Sequence, residues 1–432
     1  MISSPRLVLM LVGLVPAGPI GAAILSGGRR RDLGRREHRK IPRAEPLPRP
    51  PNYRNGANCL KPACNLFTES CDVLPHGLQC DIIRIRPDRR GPVRTSGRLE
   101  YRYFRAKRKR ISVPPTATEQ SPEPLPYRFL ERLATILPPE RYSAAVSSFS
   151  RPRRTAFRLN RLLGASDVVA ELAARGLEPA PIEGFEDAWT IPDEQRRRLV
   201  DDPAVQDGRI YLQNASSMIP VRVLDPQPGE RVMDLAAAPG SKTLQIAGRM
   251  LGRGELVAVE VVRKRFFRMR ALLERQGATF VRTCLQDGTR VWRYRPGYFD
   301  RILLDAPCST EGRFVTGDPA TTRYWSERKI DEMARRQRRL AESAVRCLRS
   351  GGVLVYSTCT TAPEENEAVI DWLLSRFPGK LEVEAVDVPL VSRSPAMTGW
   401  KGRKFAPDVG KSLRIAPNDT YEAFFVCRIR KC

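Results

Sequence analysis

Twelve residues, Val232-Met233-Asp234-Leu235-Ala236-Ala237-Ala238-Pro239-Gly240-Ser241-Lys242-Thr243, constrain the fold more than any other part of the chain. An apolar run ends in an acid, breaks into small residues and gives way to the helix-forming stretch from Thr243 to Met250. This is the pattern of a first β-strand feeding a loop that opens a helix in an α/β sheet. Ligands bind in such sheets beyond the carboxyl ends of the strands. Ala236 to Gly240 carry almost no side-chain bulk, so a ligand can lie against backbone amides. The helix N-terminus then offers unpaired N–H donors to a carboxylate or phosphate. Small residues also mark any tight strand-to-helix turn, so the loop alone settles nothing.

The rest of the chain supplies context. From residue 210 the pattern predicts strands at 231–236, 256–260, 279–284, 299–306, 351–358 and 422–429. Helices are predicted at 241–250, 261–276, 328–349 and 363–376. In the third helix Ile330, Met333, Leu340, Val345 and Leu348 fall roughly on one face, as packing on a sheet requires. Such alternation implies a mostly parallel sheet covered on both faces. The strand at 422–429 follows a long irregular stretch and suits an antiparallel partner for 351–358.

Upstream, Tyr127 to Leu137 and Pro139 to Phe149 read as short helices, and Thr155 to Asn160 alternates as a strand. Ser166 can cap a helix from Asp167 to Arg175, which Gly176 stops. Leu177 to Ile182 and Ala188 to Ile191 read as further strands. With Arg151, Arg153 and Arg154 this is either a small module facing RNA or a packing subdomain with a solvated charged face.

Charge narrows the partner. The formal net charge of +26 and pI near 10.2 point to a polyanion, most simply nucleic acid. Residues 1–122 hold 24 Lys/Arg against 9 Asp/Glu, and the remaining 310 residues hold 50 against 39. The first stretch reads as a basic, Pro/Arg-rich disordered extension, or as sequence upstream of the true start. Within it the apolar run 7–25 invites comparison with a signal peptide or anchor, but Pro16, Pro19 and the following Arg29-Arg30-Arg31 argue against both. Cys59, Cys64, Cys71 and Cys80 are spaced too irregularly for a standard zinc site. The two histidines, His38 and His76, both lie in this region, so no histidine serves the body of the chain.

Four sites fall at the expected carboxyl ends of consecutive strands: the Ala-rich loop, Glu260, Gln286-Asp287-Gly288, and Asp305-Ala306-Pro307-Cys308-Ser309. Glu260 stands where a cofactor ribose is usually gripped, and Asp287 where an adenine amino group could be accepted. Any one acid is more simply a helix cap or a loop charge; four along one edge are harder to dismiss. Cys308 follows the fourth strand and Cys359, in Tyr356-Ser357-Thr358-Cys359-Thr360, follows the fifth. At strand ends beside helix N-termini a thiolate is favoured and nucleophilic. Cys284, Cys347 and Cys427 read as inert small core residues.

These stretches, with Tyr211-Leu212-Gln213-Asn214-Ala215-Ser216-Ser217-Met218, Glu364-Glu365-Asn366-Glu367, Gly399-Trp400-Lys401-Gly402 and Glu422-Ala423-Phe424-Phe425-Val426, resemble the Sun (Fmu) family of S-adenosylmethionine-dependent RNA cytosine-5 methyltransferases. The resemblance covers roughly residues 125–432. It implies a doubly wound, mostly parallel, seven-stranded Rossmann-like methyltransferase sheet over 209–432, preceded by a small α/β module over 123–208 and the extension 1–122. It further implies Cys359 as the nucleophile adding to carbon 6 of cytosine, Cys308 assisting breakdown of the adduct, and Asp305 bonding the cytosine edge near the cofactor. Ala236, Ala237, Ala238, Pro239, Gly240, Ser241 and Lys242 would hold the methionine end of S-adenosylmethionine, Glu260 its ribose and Asp287 its adenine.

Two positions depart from the family: Ala236 replaces a usual Cys, and Glu311 follows Thr310 where a smaller residue is common. The expected substrate is structured RNA, small-subunit ribosomal RNA ahead of transfer RNA, with the base flipped out. The expected enzyme is a cytoplasmic monomer, without a metal and with no membrane association in its catalytic body. A DNA cytosine methyltransferase using Cys308 as nucleophile is the enzymatic rival. A ribosome-assembly factor that binds RNA without turnover is the other.

Overall fold

The computed structural model describes residues 124–164, 167–389 and 392–432. The expectations for the extension 1–122, its thiol cluster, its apolar run and the cap residue Ser166 fall outside the described residues. Helices α1 (Tyr127–Ile136) and α2 (Pro139–Ser148) come first, as the sequence predicts. Strands β1 (Thr155–Leu159), β2 (Ala180–Pro181), β3 (Ala188–Ile191) and β4 (Ile210–Leu212) form an antiparallel sheet in the order β2-β3-β1-β4. Around it lie α3 (Val168–Ala174), α4 (Arg196–Val200) and α5 (Pro203–Gln206). The period-2 pattern of β1 sends Phe157 into a cluster with Leu172, Ile191, Leu199 and Ile210. Its neighbour Ala156 faces the other way, into the main core of the chain.

That main core is built on a second sheet. After α6 (Ala215–Leu224) come β5 (Arg231–Asp234), α7 (Ser241–Met250), β6 (Glu255–Glu260), α8 (Arg263–Arg275), β7 (Arg282–Leu285) and β8 (Phe299–Asp305). Then follow α9 (Pro319–Thr322), α10 (Glu327–Cys347), β9 (Leu348–Thr358), α11 (Glu367–Arg376) and β10 (Leu381–Glu384). The chain closes with β11 (Arg393–Pro395), the two-residue strands β12 (Gly399–Trp400) and β13 (Arg403–Lys404), β14 (Leu413–Ile415) and β15 (Phe424–Lys431).

The order is β11-β14-β15-β9-β8-β5-β6-β7, with β10 also paired to β15. β9, β8, β5, β6 and β7 run parallel, and β15 lies antiparallel to β9 as the sequence suggested. Alternate residues of the parallel strands feed two layers. Val232, Leu256, Ala258, Leu303 and Val355 join a core covered by α6, α7 and α8. Met233, Val257, Ile302, Leu304 and Leu354 join one covered by α10 and α11. The sheet is therefore doubly wound.

The expected count of seven strands is corrected to nine. β14 pairs with Phe424–Val426 and β10 with Arg428–Lys431, so two short strands share the one outer edge of β15, and β11 adds beyond β14. Pro389, Pro395, Gly399, Gly402, Pro407 and Gly410 break the chain between β10 and β15 too often for one long strand. Helix α6 was not foreseen either. Pro220 lies inside it, and all but one of its residues are buried, so it has no polar face to reveal a helical period. Asn214 caps it, accepting from the Ser216 amide at 2.9 Å.

The closing segment is tied to α11 by one buried ion pair. Arg414 donates from Nε and Nη2 to the two Glu367 oxygens at 2.6 Å each, and both side chains are almost fully buried. Glu367→Ala is expected to destabilise the fold by about 3–5 kcal/mol, because Arg414 is left charged and uncompensated. Chemical denaturation of the two proteins measures this directly.

Candidate active site

Strand order brings the singled-out residues to one rim. The loop after β5, Glu260 at the end of β6, Asp305 at the end of β8 and Cys359 just after β9 stand side by side. Backbone hydrogen bonds across the strand ends hold them in place: Ala237 N–H to the Val259 carbonyl at 2.9 Å and Ala306 N–H to the Ser357 carbonyl at 2.8 Å.

In the Ala-rich loop Asp234 is buried, and Thr243 Oγ1 donates to its Oδ2 at 2.7 Å. The other oxygen, Oδ1, is buried with no hydrogen-bond partner. Burial raises this carboxyl to about 7. Gly240 has φ 107°, which favours glycine, and a Cβ there would stand 3.1 Å from Met269 Cγ. The loop therefore sits close on α8, and Arg265 Nη2 donates to the Ala238 carbonyl at 2.5 Å. Arg158 of the front module reaches the same helix start, donating to the Ser241 carbonyl at 3.1 Å and to Gln213 Oε1 at 2.8 Å.

Glu260 is buried; its Oε1 accepts from the Val262 amide at 2.7 Å and Oε2 lies 3.7 Å from Arg265 Nη1. Asp287 departs from the others. Its Oδ1 accepts from both the amide and the hydroxyl of Thr289, at 3.0 and 2.9 Å, and so caps a short helical turn. The simple capping reading accounts for that oxygen.

The centre of the site is a polar chain. Lys242 Nζ lies 2.7 Å from Asp305 Oδ2 and donates to Ser217 Oγ at 2.6 Å. Ser357 Oγ donates to Asp305 Oδ1 at 2.8 Å, so both carboxylate oxygens are held. Beside them Cys308 Sγ and Cys359 Sγ are 3.3 Å apart, with both thiols free. The contact with the Cys308 sulfur, in which either sulfur can be the donor, lowers the Cys359 thiol below the ordinary range, and the Arg313 guanidinium adds to this. Cys308 rises well above its ordinary value through the same sulfur–sulfur contact and its burial. The pair shares its titration, and the direction of the two shifts favours the anion on Cys359.

Helix α11 starts at Glu367, not at Pro363 as expected. The acids read as its first turn serve elsewhere. Glu364 pairs with Arg132 at 2.7 Å and accepts from Trp400 Nε1 at 2.8 Å, which against its burial hold it down at about 2. Glu365 accepts from the Ser309 amide at 3.0 Å and from Gln337 Nε2 at 2.7 Å, supporting the Cys308 loop from below. Glu311, the family departure, is buried and accepts from Trp325 Nε1, Thr360 Oγ1 and the Thr361 amide at 2.9 to 3.0 Å. It locks the Cys308 loop to the Cys359 loop. Ser217, Arg313, Gln337 and Glu422 had no role in the sequence reading. Their partners lie tens of residues away, so local pattern gives no signal for them.

Burial raises the Glu365 carboxyl to about 8, well above the ordinary glutamate range. Its protonated form is favoured by the fold, so this contribution is full below the ordinary glutamate range and is lost as pH climbs toward 8. The melting temperature is expected to fall over that window, and Glu365→Gln to flatten the fall. A remainder is expected from Asp234, raised in the same sense.

A sequence profile of the 16S rRNA methyltransferase RsmB/F family matches residues 221–430. The chain is 41% identical over 288 residues to a tRNA (cytosine(49)-C(5))-methyltransferase of Pyrococcus abyssi, covering 65% of this chain and 89% of that protein. It is 37% identical over 321 residues to ribosomal RNA small subunit methyltransferase F of Pectobacterium atrosepticum, covering 72% of this chain and 63% of the relative's length. A methyltransferase homologue of Pyrococcus horikoshii superposes with a TM-score of 0.61 at 32% identity, over 71% of this chain and 95% of that one. No helix among the described residues is long and apolar enough to cross a membrane. Being 41% identical to the Pyrococcus abyssi relative along 89% of that relative's length, the chain belongs to the RsmB/F methyltransferase family.

Proposed function

We propose that this protein methylates carbon 5 of cytosine in structured RNA, with S-adenosylmethionine as donor and a covalent adduct on Cys359. One observation carries the reading: two free sulfurs 3.3 Å apart, one favoured as the anion, beside the Lys242–Asp305 pair at the same sheet edge. The donor fits the rim in kind. The loop from Ala236 to Ser241 is nearly without side-chain bulk, Asp234 Oδ1 is buried and unpartnered, and Glu260 is a buried carboxylate at the neighbouring strand end. The loop and Lys242 would hold the methionine end, Glu260 the ribose hydroxyls and Asp287 the adenine. When bound, the donor supplies an electrophilic methyl group.

The chain's own residues do the rest. The Cys359 thiolate adds to carbon 6, forming an S–C bond and pushing the ring's electron pair onto carbon 5. Asp305, fixed by Ser357 and Lys242, bonds the cytosine edge and stabilises the charge of the adduct. After methylation carbon 5 loses its proton, the electron pair re-forms the double bond, and the S–C bond breaks to return the thiolate. Cys308 assists that breakdown. The front module over 123–208 would face the RNA and the segment 209–432 carry the chemistry.

The DNA reading, with Cys308 as nucleophile, is disfavoured by the second cysteine motif, Ser357-Thr358-Cys359, which stands at the same rim 3.3 Å from Cys308. Small-subunit ribosomal RNA and transfer RNA both stand as candidate substrates, since the matching profile is named for 16S rRNA and the 41% identical relative for a tRNA cytosine. Incubation with cellular RNA and methyl-labelled donor, then digestion to nucleosides, tests the reading. Label is expected in 5-methylcytidine. Label in another nucleoside, or none from RNA while a parallel incubation with DNA is labelled, would overturn it.

A further inference from the structure

Phe314 and Trp325 bracket an excursion of the chain. Their rings lie 6.4 Å apart in one aromatic cluster, where Phe129 of α1 meets Phe314 at 4.9 Å and Trp325 at 6.0 Å. None of residues 315–324 between these anchors is buried, yet the segment is tied down along its length. Thr316 N–H donates to the Phe149 carbonyl at 2.9 Å, and Ser150 Oγ to Thr316 Oγ1 at 2.9 Å. Val315 N–H donates to Thr321 Oγ1 at 3.1 Å, and Asp318 caps α9 by accepting from the Ala320 amide at 3.0 Å. A braced loop that buries none of its own residues adds little to a core, and such loops commonly carry binding residues.

Its place is set by the two cysteine loops. Trp325 Nε1 donates to Glu311 Oε1 at 2.9 Å, and Glu311 Oε2 accepts from the Thr361 amide at 3.0 Å. Glu311 is three residues past Cys308 and Thr361 two past Cys359, so one buried carboxylate joins the excursion to both. Next to Trp325, Tyr324 is 73% exposed, and the Arg323 guanidinium carbon lies 4.5 Å from its ring centroid. Exposed arginines flank the segment on both sides: Arg313 precedes Phe314, and Arg151 follows Ser150. The acids nearby are engaged, Asp318 in its cap and Glu327 3.5 Å from Arg132 Nη1.

We propose that Tyr324 is a stacking platform for an unpaired RNA base beside the target cytosine. This rests on the reading of the protein as an RNA cytosine methyltransferase. A cytosine taken out of its stack leaves neighbouring bases with open faces. Proteins hold such bases on aromatic rings, and any base serves because each has a π-face. Arg323 steadies the ring by its cation–π contact, and the 73% exposure leaves ring surface for a base. The flanking arginines suit the phosphates on either side of that base, which favours RNA over a protein as the occupant.

The test is fluorescence anisotropy of a labelled single-stranded oligocytidylate on the full chain, without donor, over a range of salt. Tyr324→Ala is expected to weaken binding about 5- to 100-fold, with the slope of log Kd against log salt unchanged. Tyr324→Phe keeps the ring and is expected to bind within about twofold of the unmutated chain. Both variants are expected to keep the melting temperature, because Tyr324 lies outside the core. Duplex RNA of the same length is expected to bind all three proteins alike, since paired bases offer no free face. Unchanged oligocytidylate affinity in Tyr324→Ala overturns the proposal and leaves the excursion to a protein partner. Equal losses on single strand and duplex overturn it too, as does a Tyr324→Phe protein as weak as Tyr324→Ala. No methyl transfer is measured, so failure here leaves the chemistry at Cys359 standing. Binding that depends on Tyr324, in a chain that makes no 5-methylcytidine, sinks the functional reading instead.

Discussion

The Cys308→Ala protein, incubated with cellular RNA and S-adenosylmethionine, is expected to run on a denaturing gel as a covalent RNA–protein band. Addition through Cys359 needs only that sulfur and a held base, whereas release needs the partner sulfur 3.3 Å away. Removing Cys308 also removes its contact with the Cys359 sulfur, so adduct formation should slow while breakdown slows far more. Cys308→Ala/Cys359→Ala is expected to give no band, and Cys359→Ala alone to lose about 10⁴-fold or more in turnover, because the residues act as a unit. No band from Cys308→Ala, with activity surviving in Cys359→Ala, would reverse the roles and reopen the DNA reading.

Asp305→Asn is the second large effect. The amide keeps the size of the side chain and can still accept from Ser357 Oγ, but it loses the charge that pairs with Lys242 at 2.7 Å. It also loses the carboxylate that steadies a cytosine gaining a proton on its edge. A loss of about 10²–10⁴-fold in kcat is expected, with little change in KM for RNA and a lower melting temperature, because buried Lys242 loses its carboxylate partner. Full kcat in Asp305→Asn would remove Asp305 from the chemistry and leave its ion pair as a structural one.

The parts of this molecule legible in the sequence are those written in local periodicity. The run into Asp234, the helix 241–250 and the apolar face of α10 each carry their own pattern, and parallel-sheet connectivity then places Cys308 and Cys359 just beyond the ends of adjacent strands. What local pattern could not carry is the wiring between distant segments. Glu365 supports Ser309 across 56 positions, and Lys242 meets Ser217 across 25. Nothing in the neighbouring residues announces such partners. Helix α6 was hidden for a different reason: a helix buried all round shows no hydrophobic stripe. The acids after Cys359 look like a first helical turn because glutamates do favour that position. Here tertiary partners, Arg132 for Glu364 and the Ser309 amide for Glu365, claimed them instead.

The central claim is that Cys359 is the attacking sulfur, and an unmutated protein can test it. In RNA carrying 5-fluorocytidine the fluorine cannot leave carbon 5 as a proton does, so the methylated adduct should accumulate on the wild-type chain. Trypsin separates the candidates, placing Cys308 in the peptide 302–313 and Cys359 in the peptide 350–376. Mass spectrometry after nuclease digestion is predicted to find the methylated fluorocytidine on the second peptide, at Cys359. The same mass on the first peptide, at Cys308, would contradict the account.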